Sequence, residues 1–219
     1  MGLVGIYLEF IFRLNSPWLN ILYLLFMISV ACQSILKSSR LRLKRFFIPL
    51  FLSILIPFSL MLFFFNAWVV RIENLMDAKY LVPIGGMILG NCLRCIIVGM
   101  SRFYSGLEEN KKTYLFALGV YNSRIHALKP FLKESITAGI TPTMASMATI
   151  GLVSLPGMMT GQILGGSLPL TAVKYQIAIM FSIFYTEFAS LLMALFFSMG
   201  AAFNPLDVLE DNIFTQAKE

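Results

Sequence analysis

The chain has 219 residues, of which 58% are hydrophobic and 13% are charged. A soluble domain of this size is about half apolar and about a quarter charged, so this composition excludes an ordinary soluble globular protein. The net charge of +6 comes from basic residues between apolar runs, a pattern that indicates orientation in a lipid bilayer and no nucleic-acid partner.

The apolar runs are continuous, which predicts an all-α, polytopic helical membrane protein. Residues 1–13 are too few to cross a bilayer and are predicted to form a partial N-terminal span. Five runs are long enough for full transmembrane helices, at residues 18–36, 46–70, 80–101, 135–159 and 171–202. The whole chain, residues 1–219, is predicted to be one transmembrane domain. Because Met1 would begin in mid-bilayer, we expect further sequence upstream.

Basic residues predict the orientation of the chain. Segments 37–45 and 102–134 hold eleven of the seventeen basic residues, and such segments stay in the cytoplasm. The partial span then runs toward the outside and the C-terminus is cytoplasmic. We therefore expect the chain to be an integral protein of the inner or plasma membrane.

The cytoplasmic segment 102–134 carries an apolar stripe that predicts an amphipathic helix. Gly119 permits a backbone break, and Asn122 is placed to cap a short helix from Ser123 to Lys129. Two interpretations are open, a helix lying on the inner leaflet or a helix that docks a partner. The stripe consists of Tyr114, Leu115, Leu118, Ile125 and Leu128.

A second motif predicts a helix break near the end of the run 135–159. Proline removes a backbone donor and ends or kinks a helix, and glycines four residues apart lie on one helical face. This motif is either a gate at an aqueous cavity or a site of tight helix packing. Its residues are Pro156, Gly157, Met158, Met159, Gly161 and Gly165.

Three polar residues are candidates for a transport pathway: Asn91, Gln162 and Glu187. Arg94 and Glu187 are charged residues inside apolar runs. An unpaired charge at the bilayer centre costs about 3 kcal/mol or more, so Arg94 and Glu187 either pair or contact water. The position of Arg94 near the cytoplasmic end favours snorkelling to the headgroups.

The last pattern concerns cysteine and methionine, whose sulfur atoms are soft metal ligands. Cys92 and Cys95 have metal-like spacing but are better explained as buried thiols. The methionines either offer thioether contacts or fill gaps in the core; they include Met87, Met144, Met147, Met158 and Met159. No metal-ligand set is predicted.

The sequence has no P-loop motif to hold nucleotide phosphates and a single histidine, His126. It offers no catalytic constellation in its aqueous segments, so an enzyme is not predicted. If transport is driven by ATP, the ATPase is a separate chain.

Several strings together resemble the FetB-like iron-export permeases, the membrane subunits of a small ABC transporter. They are VPIGGMILGN at 82–91, LFALGV at 115–120, VSLPGMMTGQILGG at 153–166 and AVKYQIAIMF at 172–181. The resemblance covers nearly all of the chain and implies one more N-terminal span than the chain has.

The resemblance implies a permease that exports iron or another metal, although plant relatives are linked to nucleotide sugars and aluminium tolerance. It implies two permease copies and two ATP-binding subunits, with ATP and Mg²⁺ bound in the partner and no cofactor in this chain. The coupling residues it implies are Leu118, Gly119, Val120, Tyr121, Asn122, Arg124 and Leu128. Arg94, Glu187 and the string VYNSRIHALKPF depart from the family pattern. An ATP-independent carrier or channel that uses Glu187, or a non-transporting interaction subunit, remains the alternative.

Overall fold

A computed structural model of the chain describes residues 9, 11–71, 74–152, 155–204 and 206–214. In these ranges the regular structure is helical, apart from two isolated β-bridges. The α-helices are α1 (Pro17–Ser38), α2 (Leu43–Phe64), α3 (Ala78–Glu109), α4 (Lys111–Tyr121), α5 (Arg124–Thr149), α6 (Gly157–Leu164) and α7 (Pro169–Ala202). A π-helical turn, Phe65–Val70, continues α2, and a 3₁₀ turn, Asp211–Ile213, follows α7.

The helices begin at residues whose chemistry favours a helix start. Pro17 and Pro169 open α1 and α7, where a missing N–H costs nothing because the first turn has no acceptor for it. The Asp77 side chain accepts a hydrogen bond from the Lys79 N–H at 3.1 Å and so caps α3.

Among the described residues, four helices are long and apolar enough to cross a membrane: Pro17–Ser38, Leu43–Val70, Ala78–Glu109 and Pro169–Ala202. They coincide with four of the five full spans predicted from the sequence, which confirms the all-helical membrane fold. Most of the predicted partial span, residues 1–13, lies outside the described residues. Within it, Ile11 is buried in a small cluster with Ala78 and Val82 at the start of α3.

The predicted span 135–159 differs from the structure. Helix α5 ends at Thr149, Gly151 has a φ of 83°, and a new helix begins only at Gly157. The error arose because the sequence stays apolar across this break, and hydropathy reports burial or lipid contact rather than helix continuity. At its other end, α5 begins at Arg124 inside the segment 102–134, which was predicted to be separate from the spans.

Helix α7 lies at the centre of the fold and contacts α2, α3, α5 and α6. Leu191 of α7 is fully buried between a glycine of α3 and a glycine of α5. A Cβ added at Gly99 would collide with both terminal methyl groups of Leu191. A Cβ added at Gly139 would lie 2.7 Å from Leu191 Cδ2 and 3.1 Å from the Cys95 carbonyl oxygen. These glycines therefore allow α3, α5 and α7 to approach one another closely.

We expect Gly139→Ala to destabilise the fold by about 1–3 kcal/mol, because the added methyl group overpacks the Leu191 contact. The matched control is Gly90→Ala in α3, where an added Cβ meets nothing within 4 Å and helix propensity favours alanine by about 1 kcal/mol. Thermal unfolding in detergent measures both variants. Equal effects of the two changes would show that the close approach is not limiting.

Candidate functional site

A buried carboxylate marks the contact between α5 and α7. Glu187 of α7 is 1% exposed, and its Oε1 accepts a hydrogen bond from the Thr143 hydroxyl of α5 at 3.0 Å. Its Oε2 has no hydrogen-bond partner among the described residues. A buried polar atom without a partner is costly, so this oxygen is available to a proton, a water or a cation.

The cysteines near Glu187 do not complete a metal cage. The Cys95 thiol lies 4.0 Å from the Glu187 carbonyl oxygen, and Cys92 and Cys95 are both buried and free. Among the residues that the structure describes, no three His, Cys, Asp or Glu side chains are grouped to hold a metal ion.

Arg94 does not contact Glu187. Its guanidinium donates instead to Asn91 Oδ1, and the Asn91 amide donates to the Met87 carbonyl at 2.8 Å. Arg94 is exposed whereas Glu187 is buried, and none of the ion pairs within the described ranges joins the two. Asn91 and Glu187, both predicted as pathway residues, share no hydrogen bond among those of the described residues.

A cavity of about 330 Å³ opens between the end of α5, helix α6 and the first half of α7. Three methionines line it, one from each helix: Met147, Met159 and Met180. Gln176 of α7 also lines it, is 4% exposed, and has an Oε1 without a partner in the described part of the chain. We call this space the methionine cavity.

The methionine cavity and Glu187 lie along one seam between α5 and α7. Thr143 and Met147 are one turn apart on α5, so they share a face of that helix. Gln176 and Glu187 are eleven residues apart on α7, which is about three turns and about 16 Å along the axis, so they also share a face. The cavity lies at one end of this seam, and the Glu187 carboxylate lies deeper in the bundle.

Four of the predicted helix-break residues lie in α6, and Pro156 and Gly165 flank it. Pro156 precedes the first residue of α6, and the N–H of Gly165 closes its last turn on the Gly161 carbonyl at 2.9 Å. A Cβ added at Gly157 or Gly161 would meet no described atom within 4 Å. Tight packing of these two glycines inside the chain, one of the two interpretations of the motif, is therefore not what the structure shows.

The remaining residues of this motif separate into two groups. Met159 lines the methionine cavity, whereas Met158 packs against the hydrophobic core. Gln162, predicted as a pathway residue, has an Oε1 without a partner in the described ranges but does not line the methionine cavity.

The predicted coupling segment forms a corner between two helices, and the expected break lies at Asn122 rather than at Gly119. Gly119 lies inside α4, and the chain turns at Asn122, whose φ of 46° is left-handed. Ser123, not Asn122, precedes the next helix. That helix does not stop near Lys129 but continues to Thr149.

The apolar stripe is split by this corner. Tyr114 and Leu128 are buried, whereas Leu115 and Ile125 are exposed. Leu118 is partly buried against the core. The corner also exposes apolar side chains on α4 and the start of α5, which we call the apolar corner: Phe116, Val120, Tyr121 and Ile125.

The segment after α7 holds the apolar corner against the bundle. Arg124 pairs with Asp207 at 3.0 Å, and the Tyr114 hydroxyl donates to the Asp207 carbonyl at 2.6 Å. Burial, and then the neighbouring Asp207, raise the pKa of Tyr114 to about 12, so the hydroxyl keeps its proton. Arg124 was predicted as a coupling residue, and the structure places it in this structural contact.

A second ion pair fixes the same segment to the start of α2. Arg45 Nη1 lies 2.6 Å from Glu210 Oε2 and 3.0 Å from Asn212 Oδ1. The hydrogen bond from Arg45 lowers the pKa of the Glu210 carboxyl. A backbone bridge between Leu41 and Phe214 lies beside it.

Residues 1–203 match the model of the uncharacterised protein family UPF0014. The chain belongs to this family. A UPF0014 membrane protein of Synechocystis is 33% identical over 184 residues, which are 84% of this chain and 71% of that protein. The similar proteins support an integral membrane protein, and no solved structure matches the chain.

Two named relatives are also similar. The Escherichia coli protein named "Probable iron export permease protein FetB" is 30% identical and covers 99% of this chain and 81% of its own length. "Protein ALUMINUM SENSITIVE 3" of Arabidopsis thaliana is 32% identical and covers 82% of this chain and 64% of its own length. The family resemblance expected from the sequence strings is confirmed.

Sequence reasoning did not single out Thr143, Gln176 or Met180. The signal for Gln176 was present, because it is a lone amide in an apolar run and its spacing from Glu187 fits one helical face. Thr143 gave no such signal, since one threonine among several small residues resembles ordinary packing.

Thr143→Val should destabilise the protein by about 1–3 kcal/mol, because the Oε1 of the buried Glu187 carboxylate loses its hydrogen-bond partner among the described residues. Thr141→Val is the matched control, since Thr141 is exposed on the same helix and, among the described residues, its hydroxyl bonds the Thr137 carbonyl of its own helix. In the Glu187→Gln background the cost of Thr143→Val should shrink. A cost that is unchanged in that background would contradict the Thr143–Glu187 contact.

The Arg45–Glu210 pair predicts acid-sensitive attachment of residues 206–214. The pKa of Glu210 is lowered in the folded state. The stabilisation of the folded state by the ion pair is therefore present above the ordinary carboxyl pKa and is lost as pH falls through the lowered value. Hydrogen-exchange protection factors of this segment should therefore fall in acid. Glu210→Gln should lower these protection factors already at neutral pH and remove their fall in acid. Glu134→Gln, which breaks the separate Arg102 pair, should leave the protection factors of residues 206–214 unchanged.

Proposed function

We propose that this chain is the membrane-spanning permease subunit of an ABC transporter that exports a metal ion. A separate ATP-binding subunit supplies the energy, with ATP and Mg²⁺ bound in that subunit and none in this chain. The similarity to the FetB protein over 99% of this chain supports iron or another metal as cargo.

The observation that carries this proposal is the apolar corner. Phe116 is 75% exposed, and Val120, Tyr121 and Ile125 are each more than 60% exposed. The corner lies at the end of the bundle that carries the basic segment 37–45 and Arg124, the end predicted to be cytoplasmic. Aromatic and aliphatic side chains exposed together outside the bilayer are typical of a protein-docking surface.

A helix corner suits the transmission of force. Helix α5 begins at the corner and runs without interruption to Thr149, past Thr143 and Met147 of the seam. A push on the corner by an ATP-binding subunit would therefore reach the seam through one continuous helix. Leu118 and Leu128 pack the corner onto the core, so movement of the corner and of the bundle is coupled.

A second copy of this chain is the other partner that we propose. Helix α5 is not among the described helices that are long and apolar enough to cross a membrane, and it exposes Thr141, Ser146 and Thr149. Their hydroxyls bond only to carbonyls of their own helix. Polar groups at membrane depth lie against protein or an aqueous cavity, and a homodimer would provide both.

An ATP-independent carrier is the second candidate. The buried Glu187 carboxylate with an unpartnered Oε2 is the kind of group that couples proton movement to transport. In this alternative the flux follows the proton gradient and needs no ATP-binding subunit.

We place the protein in the cell inner or plasma membrane with the C-terminus in the cytoplasm.

The test is co-expression of the chain with the host's ABC-type ATPases that have no membrane domain. Inside-out vesicles are then assayed for ATP-dependent uptake of radioactive iron and of other metal ions. Val120→Asp and Ile125→Asp should reduce ATPase binding and uptake at least tenfold, because they charge a docking surface without touching the core.

Leu168→Asp is the matched control, since Leu168 is 74% exposed but precedes α7 at the other end of the bundle. Uptake that needs no ATPase, follows the pH gradient and disappears in Glu187→Gln would replace the ABC proposal by the carrier.

A further inference from the structure

We propose that the turn between α1 and α2 binds the surface of a leaflet rich in anionic phospholipid, and that this contact steadies the apolar corner. The turn joins two helices that are long and apolar enough to cross a membrane, which places it at the level of the lipid headgroups. Its four exposed basic residues, which we call the basic turn, are Lys37, Arg40, Arg42 and Lys44.

The ion pairs at this end of the bundle leave the basic turn without a counter-charge. Three arginines here are each paired with an acid, as Arg45–Glu210, Arg124–Asp207 and Arg102–Glu134. Within the ranges that the structure describes, no side chain of the basic turn takes part in an ion pair or a hydrogen bond. Its four positive charges are therefore available to an anion outside the chain.

The backbone of the basic turn has a conformation that is costly for a residue with a side chain. Helix α1 ends in a Schellman motif, in which the Leu41 N–H bonds the Leu36 carbonyl at 3.0 Å. Arg40 has a φ of 54°, at the position of this motif where glycine is the usual residue. A residue held in an unfavourable conformation suggests a function, and what arginine adds here over glycine is a guanidinium group.

An apolar anchor fixes the basic turn. Leu41 lies between two of its arginines, is 2% exposed, and packs in the hydrophobic core together with Leu36. The turn is therefore ordered before it binds anything, and a preorganised surface loses less conformational entropy on binding.

A leaflet surface is the occupant that fits these charges. Each Lys or Arg close to an anionic membrane surface contributes about fivefold to binding. The four charges need not converge on one atom, because a leaflet presents many headgroups. The basic turn lies at the end predicted to be cytoplasmic, and the cytoplasmic leaflet is the one whose surface potential is negative.

A backbone contact connects the basic turn to residues 206–214. The Arg42 N–H bonds the Ile213 carbonyl at 3.0 Å, and through Asp207 the same segment holds the apolar corner. A leaflet that immobilises the basic turn should therefore also steady the apolar corner. Only the importance of this effect for ATPase docking rests on the proposed function, because lipid binding needs neither an ATPase nor a cargo.

The test uses the full chain in nanodiscs that contain equal amounts of phosphatidylglycerol and phosphatidylcholine with the same acyl chains. Native mass spectrometry counts the lipids that leave the disc bound to the protein. The unaltered chain should retain phosphatidylglycerol over phosphatidylcholine by about fivefold or more, and added salt should weaken this preference. The triple variant Lys37→Gln, Arg42→Gln and Lys44→Gln should lose it.

A charge-matched control is the triple variant Arg71→Gln, Lys79→Gln and Lys174→Gln, which also removes one arginine and two lysines. These residues are exposed at the opposite end of the bundle and do not share one turn, so this variant should keep the preference. Size-exclusion profiles and thermal unfolding verify the fold of both triple variants.

Arg40→Gly separates the charge from the stability of the turn. Glycine relieves the left-handed backbone, so this variant should unfold at the same temperature as the unaltered chain or at a higher one. It should nevertheless retain less phosphatidylglycerol, because it lacks one of the four charges. A merely structural arginine would give no such loss.

Hydrogen exchange measures the effect on the apolar corner. Phosphatidylglycerol should slow the exchange of residues 206–214 in the unaltered chain relative to discs of phosphatidylcholine alone. The same lipid should have no such effect in the triple variant of the basic turn. Exchange that is insensitive to the lipid in the unaltered chain would contradict the proposed link.

Equal retention of the two lipids by the unaltered chain would overturn the proposal, as would an equal loss of preference in both triple variants. Competition by soluble glycerol phosphate would assign the basic turn to a single phosphate group instead of a leaflet. An unchanged lipid preference with lost ATPase binding in the triple variant of the basic turn would assign it to an acidic protein surface. Failure of the transport function gives a different pattern, in which the lipid preference persists but no ATPase drives uptake of any metal ion.

Discussion

The close approach of three helices around Leu191 is the constraint on which the rest of the structure depends. In a bilayer, apolar side chains gain little by leaving lipid, so helices associate through close packing of small residues and through hydrogen bonds. Gly99 and Gly139 provide the packing, because any side chain at these positions would occupy the volume of Leu191. Thr143 lies four residues after Gly139, and Glu187 lies four residues before Leu191. Their side chains form the hydrogen bond between α5 and α7. Packing and polar contact thus specify the same pairing of helices.

This pairing also explains why α5 contains so few large apolar residues. A helix that packs closely on α3 and α7 and exposes hydroxyl groups elsewhere is poorly suited to face lipid. If the chain transports a substrate as we propose, the exposed polar side of α5 and the adjacent seam make α5 the helix most suited to border the route. The methionine cavity lies where α5 ends at Thr149 and α6 begins at Gly157, and its lining includes Met147, Ile150 and Met159.

At the basic end, electrostatic contacts connect parts of the chain that are distant in sequence. Asp207 and Glu210, a few residues apart, pair with Arg124 at the start of α5 and with Arg45 at the start of α2. Exposed ion pairs contribute little individually, but these two act on one short segment that also carries backbone bridges. They hold the apolar corner in place relative to α2, which a docking surface requires if it is to transmit force.

The sequence by itself determined the membrane class, four of the spans and the family, since long apolar runs and local strings need no knowledge of the fold. It also marked Glu187, because a charge within an apolar run is costly wherever its partner lies. Only the tertiary structure decided that Thr143 and not Arg94 contacts Glu187, that α5 ends at Thr149, and that Met147, Met159 and Met180 line one cavity. The physical reason is that each of these depends on contacts between helices far apart in sequence, whereas hydropathy and spacing report on one helix at a time.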